Sequence, residues 1–377
     1  MRQQPLLSRR DLIATAAAVA STAALRADPP AHNKVYRIGV ISAAIDGKPQ
    51  KTNGHTWHFA QYFHPEINLA AVKKYLDPGS ARIFEKYIRN ARYSFDQLPF
   101  ADTQITHVYA NPADGLDHYV ETFPGVKIAK SVDELVESVD AVWLGDASGK
   151  GNDHFDLIAP ALKKGLPTFC DKPIGGTVVG TRRILDLARQ HQAPLMSSSL
   201  FRHEFGMEQA LRMRDSGDFG PLQYVLASLA GGYSPESWFI YGQHPVWTVM
   251  TLCGPGVEAV SMYAHDATAH ALITYKDRMP AEVWYGRPDV SQYCHTTVYF
   301  AKQMYQYTPA IEGDFWYGHH YEMFRMAYTF REMIRTRKEP VPHREILEVT
   351  AIIHAAAKSL KEQSRLVRLD EVLNEKG

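Results

Sequence analysis

The stretch that decides the fold is LPTFCDKPIGGT, residues 166–177. The four residues before Lys172 are typical of a short buried strand, and Pro173 disfavours helix at Lys172 and keeps the backbone extended. In an α/β sheet, ligands bind beyond the carboxyl ends of the strands. Asp171 and Lys172 would lie at such an end, which makes them candidate site residues. A surface turn with solvated charges is the alternative interpretation.

Strands and helices alternate on both sides of this stretch. Thr177 can cap a helix that we predict over residues 178–191. The other strands predicted in this half of the chain are residues 35–42, 104–110, 141–145 and 194–199. Strands that alternate with helices form a parallel sheet covered on both faces. We therefore predict a Rossmann-like domain over residues 34–200.

Beyond Phe201 the pattern changes to longer strands rich in Tyr, Val and Trp. They are predicted over residues 222–229, 257–263, 269–275, 281–285 and 295–300. Strands in near succession favour a mostly antiparallel sheet. The predicted fold class is α/β: a doubly wound parallel sheet followed, over residues 201–377, by an α+β domain with a mostly antiparallel sheet.

Composition excludes several classes of protein. The 377 residues carry 41 basic and 41 acidic side chains, so the net charge is zero and the chain has no electrostatic footprint for nucleic acid. Its three cysteines, Cys170, Cys253 and Cys294, are an odd number without a CxxC motif. That pattern argues against a disulfide framework and against a structural zinc site.

Residues 1–27 are typical of an export signal rather than of the fold. Arg9 and Arg10 precede a weakly apolar, alanine-rich run over residues 13–25. The paired arginines resemble a twin-arginine signal, and a plain secretory signal is the alternative. The run is too short and too alanine-rich to span a membrane stably. We therefore expect a periplasmic or otherwise exported protein with no membrane span after signal removal.

The first strand is not followed by the GxGxxG turn of a dinucleotide-binding fold. Residues 39–47 have the sequence GVISAAIDG, although the small side chains of Ser42, Ala43 and Ala44 would still let backbone approach a pyrophosphate. At the end of the second strand, where an acid binds the ribose hydroxyls, this chain has Asn111. Asparagine lacks the charge that would repel a 2′-phosphate, so NAD and NADP are both candidate cofactors.

His55 and His58 lie three residues apart, a spacing at which two histidines on a helix can share a metal ion. No acid at suitable spacing completes a ligand set. We therefore expect no metal and assign His55 to substrate contact. His55 and His58 are the candidate ligands if a metal is bound.

Taken together, these landmarks resemble the glucose–fructose oxidoreductase, inositol dehydrogenase and MocA-like (Gfo/Idh/MocA) family. Residues 171–173, Asp-Lys-Pro, resemble that family's Glu-Lys-Pro. Residues 217–221, GDFGP, resemble the turn before its second domain. Residues 242–245, GQHP, and 252–256, LCGPG, resemble the region of its catalytic histidine. The resemblance extends over residues 37–369.

The resemblance implies hydride exchange between a nicotinamide and a sugar or polyol hydroxyl. Lys172 would contact the reacting hydroxyl or the nicotinamide ribose, where its charge favours alkoxide character. His244 would be the acid/base group, because imidazole titrates near working pH. Cofactor contact is assigned to Ser42, Ala43, Ala44, Asn111, Asp146, His154, Asp171 and Lys172. Substrate contact is assigned to Arg202, His203, Trp247 and His55.

The chain departs from the family at Ile240, where an Asp often stands four residues before the catalytic histidine. Two alternatives to an oxidoreductase follow. One is a keto-sugar lyase, hydratase or glycoside-cleaving enzyme on the same scaffold, with a metal as an option. The other is a non-catalytic sugar-binding protein. The resemblance also implies a homo-oligomer formed through the open face of the C-terminal sheet.

Overall fold

The computed structural model describes residues 34–42, 44–45, 48–49, 55–76, 78, 81, 98–113, 115–145, 150–286, 295–308 and 315–375. The predicted export signal, residues 1–27, lies outside these ranges, as do Ala43 and Asp146. Of Ala44 only the backbone, at the start of a short strand, is described. No described helix is long and apolar enough to cross a membrane.

The first sheet has six strands, and every neighbouring pair is parallel. The strands are β1 Tyr36–Ser42, β4 Thr103–Ala110, β5 Lys127–Ile128, β6 Ala141–Leu144, β7 Thr168–Cys170 and β8 Leu195–Met196. Between β1 and β4 lies a two-stranded hairpin of β2 Ala44–Ile45 and β3 Lys48–Pro49. The spatial order β5-β4-β1-β6-β7-β8 reverses direction between β1 and β6, where open α/β sheets bind ligands.

Short helices connect these strands, and polar caps set where several of them begin. The helices are α1 His55–His58, α2 Ala60–Phe63, α3 Leu69–Tyr75, α4 Leu116–Thr122, α5 Val132–Ser138, α6 His154–Lys163 and α7 Val178–Gln190. The Thr177 hydroxyl accepts the Gly180 N–H at 2.9 Å, and Ser131 caps α5 in the same way. The predicted cap at Thr177 is therefore confirmed.

The second sheet has seven strands in the order β14-β13-β9-β12-β11-β10-β15. They are β9 Leu222–Ala230, β10 Val257–His265, β11 Thr268–Tyr275, β12 Ala281–Gly286, β13 Thr296–Phe300, β14 Met304–Tyr307 and β15 Val367–Arg368. Neighbouring strands are antiparallel except β9 and β12. The predicted fold class, a parallel sheet followed by a mostly antiparallel one, is confirmed.

Six helices and one 3₁₀ turn belong to the second half of the described chain. The turn is Leu200–His203, and the helices are α8 Phe205–Ser216, α9 Pro235–Tyr241, α10 Gln243–Cys253, α11 Phe315–Thr336, α12 His343–Lys361 and α13 Leu369–Leu373. The sequence patterns did not predict α9. A reciprocal capping box between Ser234 and Ser237, with Pro235 in the first turn, starts it.

An aromatic cluster joins the late helix α11 to the first sheet. Trp143 of β6 stacks on Phe169 of β7 with ring centroids 3.8 Å apart, and Phe330 of α11 packs against Trp143 at 5.1 Å. Arg331, the next residue of α11, pairs with Asp102 at 2.6 Å. From Tyr36 onward the chain forms one compact unit, so the domain boundary at residue 200 stays a prediction.

Candidate active site

Lys172 lies at the carboxyl end of β7, and its side chain reaches the second half of the chain. The residue is 2% exposed. Its Nζ donates to the Ile240 carbonyl at 3.3 Å and lies 5.3 Å from the centre of the Tyr241 ring. Ile240 belongs to the last turn of α9, where carbonyl groups favour a cation. The amine is thus oriented by backbone and by an aromatic face.

His244 lies in the first turn of α10 and contacts the same tyrosine. Its Nδ1 is 2.6 Å from Ser199 Oγ, and its ring packs 4.9 Å from Phe201. The Tyr241 and His244 rings are stacked with centroids 6.4 Å apart. Because Tyr241 touches both predicted catalytic residues and is 40% exposed, it connects them at an open surface.

Asp171 is buried and hydrogen-bonded on both carboxylate oxygens. Oδ1 accepts the backbone N–H of Lys172 at 2.8 Å, and Oδ2 lies 2.6 Å from His55 Nδ1. A buried carboxylate needs such partners, because an unpaired one would cost several kcal/mol. The pair ties the start of α1 to the end of β7.

Gly145, directly after β6, lets α1 approach the sheet this closely. The Thr56 hydroxyl donates to the Gly145 carbonyl at 2.7 Å. A Cβ at residue 145 would lie 2.4 Å from the backbone nitrogen of Thr56, which no other residue type could accommodate without a shift. This close approach is what places His55 beside Asp171.

The crevice between β1 and β6 offers groups for a polar ligand. The buried hydroxyl of Ser42, at the end of β1, has no hydrogen-bond partner within the described chain. Leaving such a group unpaired costs about 1–3 kcal/mol, which a ligand at this position would recover. Asn111 follows β4 and is exposed. These two of the predicted cofactor residues therefore fit a dinucleotide, while Ala43 and Asp146 lie outside the described residues.

His154 was also predicted to contact the cofactor. It opens α6 and is buried, with Nδ1 3.4 Å from the Sγ of Cys170 in β7. Cofactor contact by His154 stays a prediction.

Arg202 and Trp247 hold the 3₁₀ turn against α10 and α12. The Arg202 guanidinium pairs with Glu345 at 2.7 Å, donates to the Thr251 hydroxyl at 3.2 Å and lies 5.8 Å from the Trp247 ring. Trp247 is only 2% exposed. Its ring packs in the core, and substrate contact by Arg202 and Trp247 stays a prediction.

His203 and Glu204 lie in a poorly hydrated region beside Ser198 and α11. Ser198 Oγ lies 3.2 Å from His203 Nε2, and burial, together with the Arg202 and Arg325 cations, lowers the pKa of His203 to about 3. Burial raises the pKa of Glu204 well above its usual range, and nearby Glu322 raises it further. Both oxygens of Glu204 lack hydrogen-bond partners among the described residues, which favours the neutral, protonated form of this carboxyl.

The raised pKa of Glu204 predicts that Glu204→Gln increases the stability of the protein, and by more at higher pH. Because the pKa of Glu204 is higher in the folded state than the ordinary value of 4.5, its contribution to stability is full below pH 4.5. That contribution is lost as the pH rises toward the folded-state pKa. Glutamine cannot ionise, so the free energy of unfolding of the variant should exceed that of wild type clearly at pH 8 and much less at pH 5. Denaturant unfolding at both pH values measures this.

Glu208→Gln is the matched control for that experiment. Glu208 lies in α8, one turn after Glu204, but its carboxylate already pairs with Arg325 and Tyr321, each at 2.7 Å. Its replacement should not gain stability as pH rises. A Glu204→Gln difference that is the same at pH 5 and pH 8 would contradict the neutral carboxyl.

Three parts of this site were missed from the sequence. They are Ser199, Tyr241 and the pairing of His55 with Asp171. Tyr241 stands three residues before His244, a helical spacing that would have placed the two rings on one face. Three consecutive serines, residues 197–199, at the end of a sheet strand were a further signal.

Within the described ranges, no group of three or more His, Cys, Asp or Glu side chains is placed to hold a metal ion.

Comparison with known proteins finds a family model that matches part of the chain. Residues 78–199 match the model of the Gfo/Idh/MocA oxidoreductase family, described as an NAD-binding Rossmann fold. Over 73 residues, 19% of this chain and 22% of the other, the sequence is 32% identical to the rhizopine catabolism protein MocA of Rhizobium meliloti. An uncharacterized oxidoreductase of Streptococcus pneumoniae is 28% identical over 102 residues, 26% of this chain and 27% of the other. The chain thus spans about a quarter of the length of the curated relatives it matches.

Solved structures extend the likeness to most of the chain. A probable dehydrogenase from Thermotoga maritima superposes with a TM-score of 0.67 at 17% identity, covering 89% of this chain and 99% of the other. The scyllo-inositol dehydrogenase of Lactobacillus casei, solved with NAD(H) and scyllo-inositol, gives 0.67 at 14% identity, with 89% and 99% covered. By the sequence of its first sheet and by its fold over most of its length, the chain is similar to the Gfo/Idh/MocA family of NAD-binding oxidoreductases.

Proposed function

We propose that the protein is an exported NAD(P)-dependent oxidoreductase that moves a hydride between a nicotinamide and a hydroxyl or ketone of a sugar or polyol. The observation that carries the proposal is the meeting of Lys172 and His244 on Tyr241. They meet at the carboxyl edge of a sheet whose sequence matches an NAD-binding model. Export rests on the sequence of residues 1–27.

The residues that would hold the cofactor lie on both sides of the point where the strand order reverses. Ser42 offers an unpaired buried hydroxyl at the end of β1, and Asn111 offers an amide at the end of β4. Lys172 lies at the end of β7 and would face the reacting end. When bound, the nicotinamide accepts or returns the hydride.

Lys172 and His244 would act on the substrate oxygen. The ammonium group stabilises negative charge that develops on that oxygen as the carbon–hydrogen bond breaks. Ser199, whose hydroxyl lies 2.6 Å from His244 Nδ1, orients the imidazole for acid–base work at the substrate oxygen. It takes the place of the carboxylate that is missing at Ile240, whose carbonyl instead holds Lys172.

A polyol or sugar is the substrate class that we infer. Tyr241 presents an exposed aromatic face next to Lys172, and such faces bind the apolar side of sugar rings. Dehydrogenases of similar fold have been crystallised with scyllo-inositol and with myo-inositol. Their identity to this chain is 14% and 16%, so they support the class and not one sugar.

The outer face of the second sheet supports the proposed homo-oligomer. The register places Tyr263, His270 and Trp284 in one row across β10, β11 and β12, and Leu272 lies in the next row on the same face. Tyr263 is exposed, and Leu272 and Trp284 are half-buried. An apolar and aromatic sheet face of this kind is typical of an interface.

Released nucleotide tests the cofactor. Denaturing the purified, natively exported protein should release NAD or NADP, identified by mass, or else added NAD⁺ or NADP⁺ should raise the melting temperature. Absence of both effects would overturn the proposal.

Replacing either Lys172 or His244 should abolish turnover without unfolding the protein. Lys172→Met and His244→Asn should each lower kcat for NAD(P)⁺ reduction by about 10²–10⁴-fold across a panel of polyols. Lys302→Met, in an exposed turn of the second sheet, is the matched control and should keep full activity. Full activity in both site variants would disprove the assignment, and a product lighter by one water would favour elimination instead.

Charge on the outer sheet face should break the oligomer. Leu272→Asp should reduce the mass measured by light scattering on a sizing column, because a desolvated carboxylate is costly at an apolar interface. Met304→Asp, at an exposed position of β14, should leave the mass unchanged. A monomeric wild type, or an unchanged mass for Leu272→Asp, would exclude this interface.

A further inference from the structure

The contact between His55 and Asp171 has the geometry of an acid–base dyad. Asp171 cannot rotate, because its Oδ1 accepts the Lys172 N–H at 2.8 Å while Oδ2 lies 2.6 Å from His55 Nδ1. A carboxylate only accepts hydrogen bonds, so Nδ1 carries the proton and the lone pair of the neutral ring is on Nε2. In catalytic triads a carboxylate fixes this same tautomer and stabilises the imidazolium that proton uptake creates.

His55 is held on its carboxylate side, and a small part of its side chain is exposed. Thr56, the next residue, is bonded to Gly145, and the His55 ring packs edge-on against Phe59 at 5.3 Å. In the described part of the chain the ring makes its hydrogen bond through Nδ1, and 10% of the side chain is exposed. Nε2 is therefore the nitrogen available to a ligand.

His244 has a different partner at the corresponding nitrogen. The Ser199 hydroxyl lies 2.6 Å from its Nδ1, and a hydroxyl can donate or accept and brings no charge. A hydroxyl orients a ring, but it stabilises the imidazolium less than a carboxylate does. Between the two histidines, His55 has the partner that suits proton uptake.

The dyad and the lysine start from consecutive residues. Asp171 bonds to His55 of α1, and the Lys172 side chain reaches Ile240 and Tyr241 of α9. The dyad is therefore anchored at the residue next to the lysine that would hold the substrate oxygen.

We propose that His55 is a catalytic base of this site and that Asp171 is its positioning residue; the inference rests on the proposed function and deepens it. During oxidation the substrate O–H bond breaks and its proton bonds to His55 Nε2. The carbon–hydrogen bonding pair would leave as the hydride that a bound nicotinamide takes up, and the carbonyl would form. His244 then serves to hold the substrate oxygen by hydrogen bonding.

Nitrogen-15 NMR of the histidine-labelled full chain tests the dyad without any turnover. Wild-type His55 should show a protonated Nδ1 and a bare Nε2. In Asp171→Asn, the oxygen of the new amide should still accept the Lys172 N–H. Its NH₂ group then faces His55 Nδ1, which must accept that hydrogen bond, so the imidazole proton moves to Nε2. An inverted tautomer supports the dyad, and an unchanged one overturns it.

The pH dependence of kcat tests the catalytic role. His55→Gln and Asp171→Asn should each lower kcat at neutral pH by about 10²–10⁴-fold, with little change in KM and with loss of the acidic limb of the profile. His107→Gln, a half-buried histidine of β4 bonded to Thr106, is the matched control and should keep the wild-type profile. Circular dichroism confirms that each variant is folded.

A failure of the base assignment can be distinguished from a failure of the proposed function. If wild type turns over and His55→Gln keeps its kcat and acidic limb, the base assignment is overturned while the proposed function stands. If wild type reduces neither NAD⁺ nor NADP⁺ with any polyol, the proposed function fails, and the catalytic role of His55 falls with it. The tautomer measurement still decides whether Asp171 positions His55.

Discussion

The buried carboxylate of Asp171 is the constraint on which the candidate site depends. A desolvated carboxylate must be hydrogen-bonded, and here its two partners come from elements far apart in sequence, His55 at the start of α1 and the backbone of Lys172 after β7. Satisfying that one group brings α1 onto the carboxyl edge of the sheet. It also fixes the backbone from which the Lys172 side chain extends.

The second half of the chain completes the site through packing and through helix ends. Phe330 of α11 packs on Trp143 in the first sheet, which links the late helices to the parallel sheet. The last turn of α9 and the first turn of α10 then present Tyr241 and His244 to Lys172. Lys172 from the first half of the chain and His244 from the second thus both pack against Tyr241.

Local patterns predicted the fold well, and the contacts within the site poorly. Strand alternation and the Thr177 cap act over a few residues, so they can be recognised in the sequence. His55 and Asp171 are 116 residues apart, and no local pattern specifies that they pair. Arg202 pairs with Glu345, 143 residues later, which no local pattern specifies either, and its contact with substrate stays a prediction.

The central claim is hydride transfer at this site, and isotope transfer tests it most directly. Inositol deuterated at its ring carbons is incubated with the purified protein and NAD⁺ or NADP⁺, and the nucleotide is analysed by mass. Hydride transfer at this site should give one deuterium per reduced nicotinamide, and no deuterium in the nucleotide when Lys172 is replaced by Met. Consumption of the polyol with an unlabelled, unreduced nucleotide would contradict it.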